Sequence, residues 1–227
     1  MPVRAVHLSP DERRAVSEAV ADAEARTSGE IVCILAQEVS QYRETPLIWA
    51  SAAALLAPFA AVFAGLDPTL PSGAWETAHA GPSPLAVVGG YALVQAAVFL
   101  ATFVIVSVAP VRRALTPSGI KAHRVRKAAT IQYLATGMAR AANRTGVVIF
   151  ASFRDRKVEI VADGAIHAAV GDPVWREAAD AVRDGMARGA AGEGFVRAVQ
   201  VCGAALAAHY PATGPRANAF SDEPVEL

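Results

Sequence analysis

The sequence PLIWASAAALLAPFAAVFAGL, at residues 46–66, decides the fold because it carries no charged side chain over its whole length. A second such stretch, LAVVGGYALVQAAVFLATFVIVSVA at residues 85–109, is still more apolar and is followed by Pro110. About 20 apolar helical residues, at about 1.5 Å per residue, cross a hydrocarbon core of about 30 Å. Core helices of water-soluble proteins rarely lack a polar stripe for so long. We therefore predict transmembrane helices at 46–66 and 84–110 rather than a pair of buried core helices.

Charge limits what the rest of the chain can bind. The 227 residues hold 21 basic and 21 acidic side chains, so the chain offers no overall basic field for nucleic acid. The basic run from Arg112 to Lys127 is the exception. It is typical of a stop signal that touches anionic headgroups, and regulated binding of lipid or nucleic acid is the alternative. We expect the lipid bilayer, and not nucleic acid, as a partner, and the oligomeric state stays open.

Basic residues beside the two spans predict the orientation. The connecting loop, residues 67–83, contains Asp67 and Glu76 but no Lys or Arg, whereas Arg112 and Arg113 follow the second span. Arg43 precedes the first span. Because basic loops resist translocation, both termini should be cytoplasmic and the loop extracytoplasmic. The sequence thus predicts a multi-pass protein of the cell inner (plasma) membrane, and its polar, charged N-terminus does not resemble a signal peptide.

The remaining residues alternate between helical and strand patterns. Ser9, Pro10 and Glu12 form a capping box that opens a helix, and the β-branched run Glu30–Ala36 predicts a buried strand. After the spans, a helix opens at Thr116 and Pro117 and ends near Asn143. Its expected inward residues are Ile120, Val125, Ala128, Ala129, Leu134, Ala135 and Met138.

A strand hairpin and further helices are predicted after that helix. TGVVIFASF and KVEIVA should pair across a turn at Arg154 and Asp155. A short helical turn follows Asp163, and a helix capped by Asp172 runs to about Arg188, with Trp175, Ala178, Ala179, Val182 and Met186 turned inward. Three glycines, Gly189, Gly192 and Gly194, should break the chain before a last helix from about Phe195 to His209.

This order of elements predicts the fold class. We expect an α/β domain with a small mixed sheet flanked by helices in two or three layers, interrupted by the two-helix transmembrane hairpin. Residues 1–45 hold only one helix and one strand, so they need residues 112–210 to bury a core. The domain is therefore expected to be discontinuous, comprising 1–45 and 112–210. Residues 211–227 are expected to form a flexible tail.

Three stretches resemble a known family, the TPM domain or TPM phosphatase domain of thylakoid lumen proteins and bacterial YgcG-like proteins. They are AEARTSGEIVCILAQEV at 23–39, RTGVVIFASFRDRKVEIVADGAI at 144–166 and DPVWREAADAV at 172–182. The resemblance implies a compact α/β fold with a central sheet flanked by helices, divalent-cation binding and, from a plant relative, acid phosphatase activity. The chain departs from the commonest bacterial arrangement, an extracytoplasmic domain between a signal peptide and a C-terminal span. Here the spans interrupt the domain.

Four acidic residues are the candidate metal ligands. Asp155 lies at the hairpin turn, Asp163 follows the second hairpin strand, Asp172 starts a helix, and Glu30 starts the first strand. If they converge at one end of the sheet, their oxygens would suit Ca²⁺ or Mg²⁺, and the metal could hold a phosphate oxygen for hydrolysis. We favour the other interpretation, in which Asp155 is a turn residue, Asp172 a helix cap and Glu30 a solvated strand-end charge. Asp163 is the best single candidate because it lies at a strand-to-helix junction.

Catalytic residues remain unknown from the sequence. No nucleophile, P-loop, HExxH or CxxC motif occurs, and the five histidines lack metal-ligand spacing. His167, close after Asp163, is a candidate acid or base, although an isolated histidine near a surface turn is more often neither. The two cysteines, Cys33 and Cys202, are far apart in sequence and predict inert core thiols in a reducing compartment.

Two function classes follow from these observations. The favoured hypothesis is a membrane-anchored binding or quality-control module that presents its cytoplasmic domain to a membrane-protein partner. The alternative is a divalent-metal-assisted phosphatase acting on phosphomonoesters. We favour the module because a catalytic cluster should be easier to recognise in the sequence.

Overall fold

The computed structural model describes residues 7–65, 84–138, 145–212, 214 and 221–227. The elements, in chain order, are α1 (Pro10–Glu24), β1 (Glu30–Ala36), α2 (Glu44–Phe63), α3 (Pro84–Ser107), α4 (Ala109–Leu115), α5 (Ser118–Ala135), β2 (Gly146–Ser152), β3 (Lys157–Ala162), α6 (Gly164–Val170), α7 (Asp172–Arg188), α8 (Ala191–His209) and β4 (Val225–Glu226). The predicted loop at 67–83 lies outside the described residues.

The chain divides into two compact units. One comprises Met1–Ser40 with Ser118–Leu227, and the other comprises Gln41–Pro117. The first unit is therefore discontinuous in sequence, with its two pieces meeting at the sheet. The predicted divisions, after residue 45 and before residue 112, lie a few residues inside the ends of the second unit.

A mixed four-stranded sheet with the order β3-β2-β1-β4 forms the centre of the first unit. β1 pairs in parallel with β2 and with β4, whereas β2 pairs antiparallel with β3. Every residue of β1 and β2 is buried, as expected for strands covered on both faces. The predicted α/β class, a small mixed sheet flanked by helices, is confirmed.

The alternation of side chains along the strands builds two apolar layers. Ile31, Cys33 and Leu35 of β1 point to one face, where they join a core formed with α1, α7 and α8. Val32, Ile34 and Ala36 point to the other face and pack with residues of α5. The first unit is thus a three-layer sandwich, and helices cover both faces of the sheet.

The inward face of α5 differs from the prediction. Val125, Ala129 and Tyr133 are its buried residues, whereas Ile120 is 38% exposed and Leu134 is 59% exposed. The described helix also ends at Ala135 rather than near residue 143, and residues 139–144 lie outside the described part. The sequence pattern was too broad to choose the face, since apolar residues occur on several sides of this helix. In the structure, the side of α5 that carries Val125, Ala129 and Tyr133 packs against the sheet.

The glycines between α7 and α8 also differ in part from the prediction. Gly189 ends α7 in the left-handed conformation, with φ of 76°, as a helix-ending glycine should. Gly192 and Gly194, in contrast, lie inside α8. A Cβ atom on Gly194 would be 2.9 Å from the carbonyl oxygen of Ala181, so this glycine permits close packing of the two helices instead of breaking the chain.

The C-terminal residues contradict the prediction of a flexible tail. Val225 and Glu226 form β4, which extends the sheet beside Ile34 and Leu35 of β1. The strand has only two residues, so neither hydrophobicity nor strand length indicated it. Backbone pairing with an existing strand stabilises it instead.

The second unit consists of an apolar helix pair and a short helix. α2 packs against α3, and the hydroxyl groups of Thr45 and Thr116 lie 3.0 Å apart in a buried hydrogen bond. The helix segments Glu44–Phe63 and Val87–Ser107 are long and apolar enough to cross a membrane. α3 ends at Ser107, and Pro110 lies in the first turn of α4, where its missing N–H is tolerated.

Candidate functional site

The four predicted metal ligands do not converge. The strand register places Glu30 opposite Gly146 and Ala162 opposite Val147, so Glu30 and Asp163 lie at one end of the sheet. Asp155, in the hairpin turn, lies at the other end, where Ser152 pairs with Lys157. The two ends of β2 are six residue steps apart, which is about 20 Å at about 3.3 Å per residue. The structure therefore does not bring Asp155 together with Glu30 and Asp163, because the hairpin reverses the chain between Asp155 and Asp163.

Asp155 has a structural role in the hairpin turn. Its carboxylate is 5% exposed and accepts hydrogen bonds from the Ser152 hydroxyl at 2.6 Å and from the Val39 amide at 3.3 Å. These contacts join the turn to the residues that follow β1. The geometry agrees with the interpretation of Asp155 as a turn residue, which the sequence also allowed.

Asp163 and Asp172 flank the short helix α6. Asp163 accepts a hydrogen bond from the Ala165 amide at 3.0 Å, which makes it the N-cap residue. Asp172 makes no side-chain cap and instead lies 3.1 Å from His167 Nε2. The predicted capping role of Asp172 is thus wrong, since Gly171 holds the N-cap position of α7.

His167 contacts Asp172 and the buried Trp175, both in the first turns of α7. Its ring stacks on the Trp175 indole, with centroids 6.0 Å apart and planes within 5° of parallel. His167 and Asp172 are both largely exposed, so their ion pair is weak by itself. Among the residues that the structure describes, no serine, threonine or cysteine hydrogen-bonds to His167, and the geometry does not support an acid–base role. Among the described residues, no group of three or more His, Cys, Asp or Glu side chains is arranged to hold a metal ion.

The two thiols lie in the core, as the sequence predicted. Cys33 and Cys202 are free and buried. Burial raises the pKa of Cys202 to about 12, and burial, followed by the neighbouring Cys202 and Glu24, raises the pKa of Cys33 further. Thiolates are the reactive form of cysteine, so neither side chain is a nucleophile near neutral pH.

Helix surfaces of the first unit include a wide groove of about 750 Å³ along α7 and α8. Its charged lining residues are Arg176, Arg188 and Arg197 together with Glu177, Asp180 and Asp184. Three cations and three anions give no net positive charge, so the groove offers no selective attraction for a phosphate group.

The outward surfaces of α2 and α3 are strongly apolar. Phe63 is 91% exposed, Leu85 is 82% exposed and Leu55 is 66% exposed. Further exposed large apolar residues on these helices are Leu47, Ile48, Leu56, Phe59, Val62, Val88, Leu93, Leu100, Val104 and Ile105. Contiguous apolar surface of this extent is unfavourable in water and marks contact with lipid or with another protein.

A carboxylate-binding site lies beside the C-terminal strand. Glu226 Oε1 accepts a hydrogen bond from the Leu8 amide at 3.1 Å and lies 3.4 Å from Arg13 Nε. Glu226 Oε2 lies 2.6 Å from His7 Nδ1. Arg13 is itself fixed, because its Nε also donates to the carbonyl oxygen of Leu8 at 3.1 Å.

The sequence contains no local signal for this site, for a physical reason. Its parts come from opposite ends of the chain, and no local motif joins His7 to Glu226, which are 219 residues apart. The only available signal was the apolar–acidic–apolar triplet Val225-Glu226-Leu227. A triplet is too short to predict a strand.

Comparisons with known proteins inform the fold. No family model matches the chain, and no curated protein matches it. Among solved structures, the NMR structure of the BA42 protein from the psychrophilic bacterium Bizionia argentinensis is similar, with a TM-score of 0.57 and 16% sequence identity over 100% of both chains. At this identity the likeness shows the fold alone.

Proposed function

We propose that this chain is an integral membrane protein in which α2 and α3 lie in the lipid bilayer and the α/β unit is a binding module for membrane-associated partners. The outward apolar surface of the two helices carries the membrane part of the proposal. Side chains such as Phe63 and Leu85 would be exposed to water in a soluble protein. In a hydrocarbon core they need no cover, and the helical backbone satisfies its own polar groups there.

Charge asymmetry supports the proposed orientation. Arg112 and Arg113 lie on α4, directly after α3, and Arg43 precedes α2. By the positive-inside rule, both termini then lie in the cytoplasm. On this proposal the bilayer that α2 and α3 cross is the cell inner membrane. On this proposal the α/β unit is a cytoplasmic, TPM-like domain that a bilayer hairpin interrupts after β1.

A binding role fits the α/β unit better than phosphomonoester hydrolysis. The expected metal ligands lie at opposite ends of the sheet, the thiols are buried, and the groove along α7 and α8 carries balanced charge. The module has, in contrast, a sheet edge on which one extended segment already docks. Recognition of partners is the activity that these features can support.

Purification of the full chain from membranes tests this function. We expect the wild-type chain to stay with membranes after an alkaline carbonate wash and to enrich particular integral membrane proteins when purified in mild detergent. A chain carrying Leu55→Asp and Leu100→Asp should lose both behaviours, because each charge costs about 2.5–3.5 kcal/mol at the bilayer centre. The matched control is Leu134→Asp, which places a charge on an exposed position of α5 instead.

Two results would contradict the proposal. Release of the wild-type chain by the carbonate wash would exclude the bilayer hairpin. Metal-dependent hydrolysis of p-nitrophenyl phosphate that Asp163→Asn abolishes would favour the phosphatase.

A further inference from the structure

We propose that the side of β1 that faces away from β2 is a binding site for an extended acidic segment of a protein partner, and that the chain's own residues 224–227 occupy this site in cis. The proposal names the chemistry of the partner and in that respect rests on the binding function proposed above. Its evidence is a separate set of contacts, all of them at the edge of the sheet.

Backbone pairing provides the first part of the argument. The Leu227 amide donates to the carbonyl oxygen of Leu35 at 2.9 Å, and the Gln37 amide donates to the carbonyl oxygen of Leu227 at 2.8 Å. Val225 and Glu226 pair in parallel with Ile34 and Leu35. These contacts use only main-chain groups of the docked segment, so any extended peptide can reproduce them. Addition of a strand to an exposed sheet edge is a general mode of peptide recognition.

Side-chain exposure shows which residues of the segment 224–227 contact the rest of the unit. Pro224 is buried, whereas Val225 and Leu227 are 42% and 52% exposed. The segment therefore adds little to the apolar core of the unit. It docks mainly through its backbone, one proline and one carboxylate, as a ligand does.

The carboxylate of Glu226 provides the specificity. Its side chain is 17% exposed, between the Leu8 amide, His7 Nδ1 and Arg13 Nε. Leu8 is buried in the core, and the capping box of Ser9 and Glu12 fixes the start of α1 next to it. The carboxylate receptor is therefore built by elements other than the segment it holds. Hydrogen bonds to an ionised group are about twice as strong as neutral ones, so the receptor favours an acidic residue.

The occupant that fits this site is an extended segment of the form proline–aliphatic–glutamate–aliphatic, supplied by another protein. The tethered copy competes with it, because a linked segment acts at an effective concentration in the millimolar range. A partner segment must displace residues 224–227 before it can pair with β1, and the cis segment thus sets the threshold for binding.

The test uses the full chain in detergent and a fluorescein-labelled peptide of residues 221–227, SDEPVEL, with fluorescence anisotropy as the readout. Glu226→Lys should release the cis segment, since it places a cation beside Arg13. We expect this variant to bind the probe at least about tenfold more tightly than the wild type, because the tethered competitor is removed. Glu223→Lys is the matched control, as it makes the same charge change at an exposed position of the same segment.

Two further variants test the carboxylate receptor. In the Glu226→Lys chain, the additional change Arg13→Ala should weaken probe binding about fivefold or more, and a probe with Gln in place of its second Glu should bind similarly weakly. Equal affinity of the two probes would overturn the proposal. So would a Glu226→Lys chain that binds the probe no better than the Glu223→Lys control.

Hydrogen exchange keeps the test decisive if Glu226→Lys disturbs folding. In the full chain with the milder change Glu226→Gln, the amides of Leu227 and Gln37 should exchange faster than in the wild type, whereas amides of β2 should keep their protection. Unchanged protection at Leu227 and Gln37 would contradict a carboxylate-held, displaceable segment. Because these measurements need no membrane partner, they can fail while the carbonate and purification results still support the proposed function.

Discussion

At the scale of single residues, Asp155 illustrates how a candidate ligand becomes a structural group. Its buried carboxylate accepts from the Ser152 hydroxyl and the Val39 amide. Asp155→Ala should lower the free energy of unfolding by about 1–3 kcal/mol, because buried donors lose their acceptor. The measurement is denaturant unfolding followed by circular dichroism. The exposed Asp184 is the control, and Asp184→Ala should stay within about 0.5 kcal/mol of wild type. Equal stability of the two variants would contradict the structural role.

Glu159 predicts a dependence of stability on pH. Burial raises the pKa of its carboxyl group, and Arg126, 3.5 Å away, opposes the shift. The pKa of Glu159 is higher in the folded state than in the unfolded state, so its ionised form destabilises the folded protein. This penalty is fully present at pH values above the pKa of the folded state. The penalty fades as the pH falls through the folded pKa and disappears below the unfolded value, which is about 4.3. Glu159→Gln should therefore be more stable than wild type at pH 7.5, and this advantage should shrink in acid.

Thermal midpoints at several pH values check the Glu159 prediction. The exposed Glu177 supplies the control, since Glu177→Gln makes the same chemical change at an exposed position of α7. A wild-type chain at least as stable as Glu159→Gln at pH 7.5 would show that the ion pair with Arg126 outweighs the cost of burial.

At the scale of elements, the contact between α7 and α8 depends on glycine. A Cβ atom on Gly194 would lie 2.9 Å from the Ala181 carbonyl oxygen and 3.0 Å from Val182 Cα, both backbone atoms. Gly194→Ala should therefore destabilise the unit by about 1–3 kcal/mol, as overpacking does. A Cβ atom on Gly119 in α5 would meet no neighbouring atom within 4 Å. Gly119→Ala should therefore stabilise the protein by about 0.5–1 kcal/mol. The reverse order of stability in denaturant unfolding would be inconsistent with this packing.

The elements also show what the sequence could and could not predict. β1, β2 and β3 were predictable because β-branched runs and a polar turn are local signals. The position of Asp155 relative to Glu30 was not, because it depends on pairing between strands more than 100 residues apart. β4 was missed because backbone pairing and the Glu226 carboxylate hold it, and neither produces a hydrophobic pattern. The carboxylate-binding site was not predicted for the same reason, since its contacts produce no hydrophobic pattern in the sequence.

At the scale of the whole molecule, the apolar hairpin is an insertion within one folding unit. Residues up to Ser40 and from Ser118 onward build a single sheet, while Gln41–Pro117 form a unit of their own. This division was predictable, since one helix and one strand cannot bury a core. Which side of a membrane each part occupies follows only from charge counts and stays a prediction.

Thiol labelling of intact spheroplasts can measure whether both termini are cytoplasmic and the loop at 67–83 is extracytoplasmic. Native Cys33 and Cys202 are buried, so the wild-type chain provides an unreactive background. Ser72→Cys places a thiol in the predicted extracytoplasmic loop, and Ser221→Cys places one near the C-terminus. With a membrane-impermeant maleimide on intact spheroplasts, we expect labelling of the Ser72→Cys chain, and labelling of the Ser221→Cys chain only after lysis. Labelling of the Ser221→Cys chain in intact spheroplasts, or protection of the Ser72→Cys chain, would contradict the proposed orientation.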